Sequence, residues 1–324
     1  MAKKRKYKSI ALMLAALILC VCALSACGKK DDEEDETSSH VSQAISNTVE
    51  WNGKTYKYNE NLTNILFLGI DKSDIIDDTY APGDAGQSDC IILLSLNEET
   101  GQAVILQINR NTMTDIDVYD YSGNYLKTIE GQLALQYAYD IGGESSCWAT
   151  KKTVGEILEG VEIDGYFALA VDGVPEINDA LGGVDVYMRE DYTYIDESFV
   201  EGTTVHLEGT LAQRFVQYRD TEVFDSVTDR MARQVDYITA LITQMNTTSG
   251  TDLYEILSPY MGTYVITDLT ADELNAMRKY EYLTDDVLYL PGETVMGEVY
   301  EEYYIDEDEL EELIMTTFYV EVED

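Results

Sequence analysis

The chain has 324 residues, and its 62 Asp and Glu against 21 Lys and Arg give it a formal charge of −41. A body this negative repels a nucleic-acid backbone over most of its surface, which excludes DNA and RNA as partners. Histidine occurs only at His40 and His206, and no CxxC or metal-type Cys/His spacing is present. The composition therefore argues against histidine-based catalysis and against a structural zinc site.

The first 26 residues have the pattern of an export signal. Basic residues from Lys3 to Lys8 precede the apolar run Ile10–Ala23. The following Leu24–Cys27 resembles a bacterial lipobox, which predicts that Cys27 is lipidated and becomes the mature N-terminus. An uncleaved membrane anchor is the open alternative, although Ile10–Ala26 is short of the roughly 20 apolar residues that a spanning helix needs. Either form holds the body at the extracellular face of the bacterial cytoplasmic membrane.

An acidic tether is predicted at residues 27–60, since Asp31–Glu36 is an uninterrupted acidic run followed by polar residues. Near its end, Trp51–Tyr56 contains Asn-Gly between strand formers, which predicts a small β-hairpin. The main globular domain is then expected at residues 61–248. A more acidic extension at residues 249–324 is expected to pack on that domain.

Apolar runs alternate with helical spacings through the globular domain, which predicts a layered α/β sandwich. Buried strands are predicted at Asn64–Ile70, Cys90–Leu96, Ala103–Ile108, Tyr166–Val171 and Val184–Met188. Helices are predicted at Leu133–Asp140, Cys147–Leu158, Val174–Leu181, Leu211–Tyr218 and Met231–Met245. In the extension we expect a helix capped at Thr270, a strand at Val287–Leu290 and a last helix at Asp306–Phe318.

Two cysteines, Cys90 and Cys147, lie in the globular domain. Cys90 is inside an apolar run and is expected to be a small core residue. A disulfide between the two is possible in an exported protein, but nothing in the sequence requires it.

Arginine is concentrated in one part of this acidic chain. Four of the arginines fall within a stretch of about twenty residues, and a fifth ends an apolar run: Arg214, Arg219, Arg230, Arg233 and Arg110. The planar guanidinium group binds phosphate oxygens in pairs, so the pattern favours a phosphate-bearing ligand. Surface ion pairs are the alternative for any single arginine, but exposed pairs contribute only about 0–1 kcal/mol.

Two carboxylates occupy strand ends, where sites on α/β sheets usually form. Asp71 directly follows the first predicted strand, and Asp89 precedes the second, behind the irregular segment Asp77–Ser88. For each of them, the alternative role is a turn or helix cap.

Eight short segments, in this order and spacing, resemble the LytR-CpsA-Psr family of cell-envelope proteins over about Asn61–Met245. They are Asn64–Asp71, Ser88–Asp89, Ile108–Thr112, Tyr137–Tyr139, Asp179–Asp185, Leu207–Gly209, Phe215–Arg219 and Asp229–Gln234. The resemblance implies a three-layer α/β/α sandwich around a mixed central sheet, with a hydrophobic tunnel for a polyprenyl chain. It also implies a reaction in which a phosphoglycan moves from a polyprenyl-pyrophosphate carrier onto peptidoglycan, usually with Mg²⁺.

The resemblance carries roles to individual residues of this sequence. Asp71 and Asp89 would hold the metal or assist the nucleophile, and Arg110 would act with them in catalysis. The pyrophosphate clamp would comprise Arg110, Arg219, Arg230 and Arg233, with Gln234 beside it. The implied partners are the polyprenyl-pyrophosphate-linked glycan, peptidoglycan and the membrane that holds the lipidated N-terminus.

The chain departs from the family pattern at three positions where cationic groups are usual and where it has Gln87, Gln132 and Gln217. Each charge-assisted bond lost costs about 1.5–3 kcal/mol of phosphate binding. We therefore carry forward a membrane-tethered phosphotransferase and, as the alternative, a polyprenyl-pyrophosphate-binding lipoprotein that has lost turnover. A third hypothesis is a solute-binding lipoprotein whose arginines serve structure.

Overall fold

Buried apolar runs form the central strands of this α/β protein, whose computed structural model describes residues 48–247 and 252–322. The predicted signal at residues 1–26, the lipidation site Cys27 and most of the predicted tether lie outside these ranges. Within them, no helix has both the length and the apolar character that a membrane span requires.

The strands are β1 Thr48–Trp51, β2 Lys54–Tyr58, β3 Leu62–Ile70, β4 Ser88–Asn97, β5 Gln102–Ile108, β6 Met113–Tyr119, β7 Tyr125–Gln132, β8 Gly165–Ala170, β9 Val184–Tyr187, β10 Thr204–Leu207, β11 Val265–Thr267, β12 Glu281–Tyr282, β13 Leu288–Tyr289, β14 Gly292–Met296, β15 Glu301–Ile305 and β16 Tyr319–Glu321. The α-helices are α1 Ala134–Ala138, α2 Gly143–Ile157, α3 Gly173–Ala180, α4 Thr210–Gln217, α5 Ser226–Thr247, α6 Leu253–Leu257, α7 Ala271–Ala276 and α8 Glu307–Phe318. Two 3₁₀ turns, Ser258–Tyr260 and Met277–Lys279, follow α6 and α7.

The central sheet is mixed, as the family resemblance implies. Its strand order is β11-β8-β3-β4-β5-β12, and β13 also pairs with β5. Strand β3 is parallel to β8 and antiparallel to β4, and β4 is antiparallel to β5. Strand β4 lies in the middle of the sheet with both faces covered, which is why its sequence is a continuous apolar run.

Helices cover both faces of the sheet, which confirms the three-layer α/β/α sandwich. Successive residues of a strand point to opposite faces. Ile92 and Leu94 therefore pack in the core that contains Ile238 of α5, with further residues from α3 and α4. Ile91 and Leu93 pack in the other core, with residues of α2 and α8.

The strands and helices predicted from apolar periodicity are present, with small shifts at their ends. The predicted hairpin is also confirmed, because β1 pairs with β2 around Asn52 and Gly53, which both have positive φ. The hairpins β6–β7 and β14–β15 were not predicted, since their strands are partly or largely exposed and carry no continuous apolar run. Cys90 and Cys147 are buried free thiols.

The segment after residue 251 contributes to both edges of the central sheet. Strand β11 pairs with β8 at one edge, while β12 and β13 pair with β5 at the other. Strand β16 pairs with β2, so the end of the chain also meets the predicted tether hairpin. The described residues belong to one compact unit. The domain boundaries drawn from the sequence stay a prediction.

The last helix should contribute strongly to stability through Phe318, which is fully buried in the core beneath α8. We expect Phe318→Ala to lower the free energy of unfolding by about 3–5 kcal/mol, because the change leaves a cavity. Urea unfolding measures it, with Met296→Ala, 61% exposed in β14, as the control. A loss below about 1 kcal/mol for Phe318→Ala would contradict the packing described here.

Candidate active site

Three of the predicted site residues meet at one edge of the central sheet. Asp71 follows the end of β3, and Asp89 is the second residue of the antiparallel strand β4. Arg110 follows β5, whose last residue Ile108 lies opposite Ile91 of β4. The register of three neighbouring strands thus brings the two carboxylates and the guanidinium group together.

A tight turn fixes the backbone of Arg110. The Asn109 side chain accepts a hydrogen bond from the Asn111 N–H at 2.9 Å. The Thr112 N–H and hydroxyl both donate to the Asn109 carbonyl, at 3.0 and 2.6 Å. Side chains of Asn and Thr often stabilise such turns. The Ala134 N–H donates to the Arg110 carbonyl at 3.0 Å, which ties the turn to the start of α1.

Asp89 lies between two arginines and links the sheet edge to helix α5. Its Oδ2 accepts a hydrogen bond from Arg230 Nη1 at 2.6 Å, and its Oδ1 lies 3.0 Å from Arg110 Nε. Both arginines are at most 8% exposed. Burial lowers the pKa of Arg110, the Asp89 carboxylate opposes that shift, and the nearby Arg230 and Arg219 add to it. Asp89, Arg110 and Arg230 therefore form a buried charged cluster in which two guanidinium groups share one carboxylate.

The Asp71 carboxylate is close to this cluster but is held differently. Its Oδ1 accepts a hydrogen bond from the Gln87 N–H. Gly86, with φ +87°, allows that loop to approach, because a Cβ there would lie 3.1 Å from Asp71 Oδ1. Burial raises the pKa of Asp71, the bond from Gln87 partly offsets this, and the charge of Asp89 raises the pKa further. Asp71 thus takes a proton more readily than an ordinary aspartate does.

Arg219 belongs to the same cluster and has a partner that the sequence did not reveal. Its Nε donates to Ser226 Oγ at 3.1 Å, and its Nη2 donates to Glu301 Oε2 at 3.0 Å. Glu301 begins β15 and is 7% exposed. The only signal for it was the short strand-forming run Tyr303-Tyr304-Ile305 that follows it, which did not stand out in an acidic tail. Arg110, Arg219 and Arg230 are thus matched by Asp71, Asp89 and Glu301.

Arg233 faces away from this cluster. Its Nε donates to the Phe215 carbonyl at 3.0 Å, its Nη2 donates to the Tyr218 carbonyl, and the residue is 1% exposed. These carbonyls end helix α4, where helix geometry leaves carbonyl groups without intrahelical partners. The structure therefore gives Arg233 a contact that supports the segment leading to Arg219. The predicted contact of Arg233 with pyrophosphate stays a prediction.

The glutamines at the departing positions have separate environments. The Gln87 side chain accepts a hydrogen bond from Arg110 Nη2. Gln132 Nε2 donates to Asn111 Oδ1 at 3.1 Å and to the Glu301 carbonyl at 2.8 Å. Gln217 is exposed and lines the cavity described next, together with Gln234. Gln87 and Gln132 therefore support the cluster by hydrogen bonds from uncharged side chains.

A cavity opens beside the cluster and changes character along its length. Polar groups are gathered at one end, and they belong to Asp71, Asp89, Arg230, Gln217 and Gln234. A second cavity shares four apolar residues with the first, Phe67, Leu169, Ile238 and Leu241. Its lining is almost entirely apolar and includes Leu253, Leu257, Leu274, Met277 and Tyr282 from the C-terminal segment. The two cavities thus adjoin between the sheet and helix α5, and together we call them the amphipathic tunnel.

The polar end of the tunnel contains donors that have no acceptor in the part of the chain that the structure describes. Nε and Nη2 of Arg230 are buried and meet no acceptor among the described residues. A buried donor without an acceptor is costly, by about 1–3 kcal/mol and more for a charged group. Both nitrogens are therefore suited to an anionic ligand.

Asp71 and Asp89 are the carboxylates that could hold a divalent cation here. Carboxylate oxygens are the ligands that Mg²⁺ prefers, and it often takes only one or two from the protein and the rest from phosphate and water. The negative charge of Asp89 helps to raise the pKa of Asp71, and a bound cation would relieve this repulsion between the two carboxylates. Within residues 48–247 and 252–322, no group of three or more His, Cys, Asp or Glu is arranged to hold a metal.

Comparison with known proteins gives a consistent result. The sequence profile described as the LytR_cpsA_psr family matches residues 22–317. The chain is 28% identical over 253 residues to the polyisoprenyl-teichoic acid–peptidoglycan teichoic acid transferase TagU of Oceanobacillus iheyensis. The aligned region covers 76% of this chain and 72% of that relative.

Two solved structures share the fold. B. subtilis TagV superposes with a TM-score of 0.61 at 23% identity, over 80% of this chain and 96% of that one. TagT bound to LI-WTA superposes with a TM-score of 0.59 at 19% identity, over 80% and 91% of the two chains. At these sequence identities the superpositions establish the shared α/β/α fold and nothing about function.

The raised pKa of Asp71 predicts how stability changes with pH. The pKa of Asp71 is near 3.8 in the unfolded chain and higher in the folded chain, so the folded chain holds this proton more tightly. The contribution of Asp71 to the free energy of unfolding therefore falls as pH rises through the folded pKa. Asp71→Asn keeps a carbonyl acceptor for the Gln87 N–H and removes this loss. We expect the variant to gain stability relative to wild type as pH rises above about 4.

Urea unfolding at a series of pH values measures this gain, with the exposed Asp115→Asn as the control. Parallel stability curves for wild type and Asp71→Asn would show that burial of the carboxylate has no such effect.

Proposed function

Because the chain belongs to the LytR-CpsA-Psr family, we propose that it is a membrane-tethered phosphotransferase that moves a phosphoglycan from a polyprenyl-pyrophosphate carrier onto peptidoglycan. The family match covers most of the chain, and relatives of similar sequence are named as teichoic acid–peptidoglycan transferases. For this chain we propose only the class of substrate, a phosphoglycan, because teichoic acid is the substrate in the relatives' names.

The observation that supports this function most is the amphipathic tunnel. A ligand that fits it has a long apolar tail and an anionic head, because the tunnel ends in Arg230 donors that no described residue uses. Burying apolar surface contributes about 25 cal/mol per Å², so the tail would supply most of the affinity. A polyprenyl pyrophosphate has this composition. A soluble polar solute would leave the tunnel without a matching group.

The proposed reaction is a nucleophilic substitution at phosphorus. A hydroxyl of peptidoglycan attacks the phosphorus that carries the glycan, the bond to the bridging oxygen breaks, and polyprenyl phosphate leaves. Such transfer depends mainly on positioning and on neutralising the charge that develops on the phosphate oxygens. We assign the neutralising role to Arg110, Arg219 and Arg230, and we assign the hydroxyl proton to Asp71, whose pKa is raised.

As the alternative role for Asp71, we propose that Asp71 and Asp89 together would hold a Mg²⁺ ion beside the pyrophosphate. The ion would supply further positive charge at the phosphate oxygens. Asp89 is already oriented by Arg110 and Arg230, so its direction toward the tunnel is set by this chain's own groups.

The proposed place of action is the extracellular face of the cytoplasmic membrane, with Cys27 as the lipid anchor. The sequence pattern of the first 26 residues supports this. A tether at that surface would keep the tunnel within reach of a carrier lipid whose tail lies in the bilayer.

The function is tested by incubating the protein with a polyprenyl-pyrophosphate oligosaccharide, peptidoglycan oligomers and Mg²⁺, followed by mass spectrometry of the glycan products. A phosphodiester-linked product with release of polyprenyl phosphate is expected. Retained lipid binding without any product would instead support the non-catalytic binder. Loss of both would refute the proposed function.

Arg230→Ala should weaken binding of polyprenyl diphosphate by about 10- to 100-fold, because a charged donor to phosphate is removed, and it should abolish transfer. The matched control is Arg214→Ala in α4, whose guanidinium is exposed and pairs with Asp196 at 2.7 Å. Titration of each protein with polyprenyl diphosphate gives the dissociation constants. Equal affinities for wild type and Arg230→Ala would remove Arg230 from the clamp.

Leu241→Trp should block the apolar tunnel, since Leu241 lines both of its parts. The variant should lose affinity for long-chain polyprenyl diphosphate and keep its affinity for inorganic pyrophosphate. Thr243→Trp serves as the control, since it places the same bulky group on the exposed side of α5. If Leu241→Trp binds the long-chain lipid like wild type, the tail occupies some other surface.

A further inference from the structure

The hairpin β14–β15 meets the segment that carries Arg110. The Tyr303 N–H donates to the Asn111 carbonyl at 3.0 Å, and Tyr303 forms an isolated parallel bridge with Thr112. The Gln132 side chain donates to the Glu301 carbonyl at 2.8 Å. The backbone of β15 is thus fixed against the turn that follows β5.

The side chain of Glu301 meets the segment that carries Arg219. Its Oε1 accepts a hydrogen bond from the Asp225 N–H at 2.7 Å, and its Oε2 accepts one from Arg219 Nη2 at 3.0 Å. Asp225 directly precedes α5 and has φ +58°, a left-handed conformation that is uncommon outside glycine. Thr294 of β14 donates to Asp225 Oδ1 at 2.8 Å, so the hairpin contacts this residue twice.

These contacts restrict how Arg219 can point. A buried carboxylate is stable only when it is paired and hydrogen-bonded, and Glu301, 7% exposed, meets that condition through Arg219 and Asp225. The contacts of Arg219 with Ser226 and Glu301 use Nε and Nη2, which form one edge of the guanidinium fork. Nη1 and the second hydrogen of Nη2 lie on the other edges of the guanidinium group, where no hydrogen bond to a described residue is formed and a phosphate oxygen can be reached.

We propose that Glu301 is a positioning residue for the pyrophosphate clamp. It orients Arg219, and through β15 it fixes the Arg219 segment relative to the Arg110 turn. The inference rests on the proposed function, because it takes pyrophosphate as the ligand of the clamp. It gives the C-terminal segment a direct part in the site, in addition to its place at the sheet edges and in the tunnel wall.

A different role for Glu301 makes the opposite prediction. If Glu301 were a stand-in anion that the phosphate displaces, its removal would free Arg219 and tighten binding. The second bond, to the Asp225 N–H, argues against displacement, because a departing carboxylate would leave a buried donor without an acceptor.

The test is a double-mutant cycle on the full-length protein with Glu301→Gln, Arg219→Ala and their combination. Glutamine keeps an oxygen that can accept from the Asp225 N–H but loses the charge opposite Arg219. The probe is a polyprenyl diphosphate without a glycan, and its dissociation constant is measured by titration. Glu298→Gln is the matched control, because it removes a charge from the exposed turn of the same hairpin.

We expect Glu301→Gln to weaken binding about tenfold in the wild-type background and less than about twofold in the Arg219→Ala background. Thermal unfolding of the same proteins identifies a purely structural role, which would lower the melting temperature without this dependence on Arg219. Unchanged or tighter binding by Glu301→Gln, or equal losses in both backgrounds, would overturn the inference while the proposed function stands. Failure of the wild-type protein to bind the probe would overturn both.

Discussion

The contact of Asp89 with Arg110 and Arg230 is the interaction on which the rest of the site depends. It joins the edge of the central sheet to helix α5, with nitrogen–oxygen distances of 3.0 and 2.6 Å. Charges this buried require compensation, since the penalty for leaving one unpaired is several kcal/mol. The carboxylate therefore holds two guanidinium groups close together that would otherwise repel each other, and it does so at the mouth of an apolar tunnel.

The three-layer fold explains why a charged cluster and an apolar tunnel are adjacent. The core between the sheet and α5 is built from the strand faces that carry Phe67, Ile92 and Leu169. Two of these strands meet the charged residues: β3 ends just before Asp71, and β4 begins with Ser88 and Asp89. A ligand lying along that core would have its apolar part between the layers and its anionic part at the strand ends. This arrangement fits the lipid-carried phosphate that we propose as the ligand of this LytR-CpsA-Psr protein.

Much of this arrangement could be predicted from the sequence, because the central strands are continuous apolar runs and Asp71 and Arg110 lie within two residues of the ends of two of them. Two features could not. Arg230 and Arg233 share a helix flank, but only the packing of α4 determines that Arg233 turns to its carbonyls while Arg230 turns to the tunnel. Glu301 lies far along the chain in a short, half-exposed strand, and its contact depends on tertiary structure that no local pattern encodes.

The central claim is that the tunnel holds a polyprenyl chain with its phosphates at the arginine cluster. Native mass spectrometry of the protein, purified from membranes and then incubated with polyprenyl diphosphate, tests this most directly. A one-to-one complex is expected, whose added mass is that of a polyprenyl phosphate or diphosphate. A protein that stays bare after that incubation would show that the tunnel does not hold this lipid.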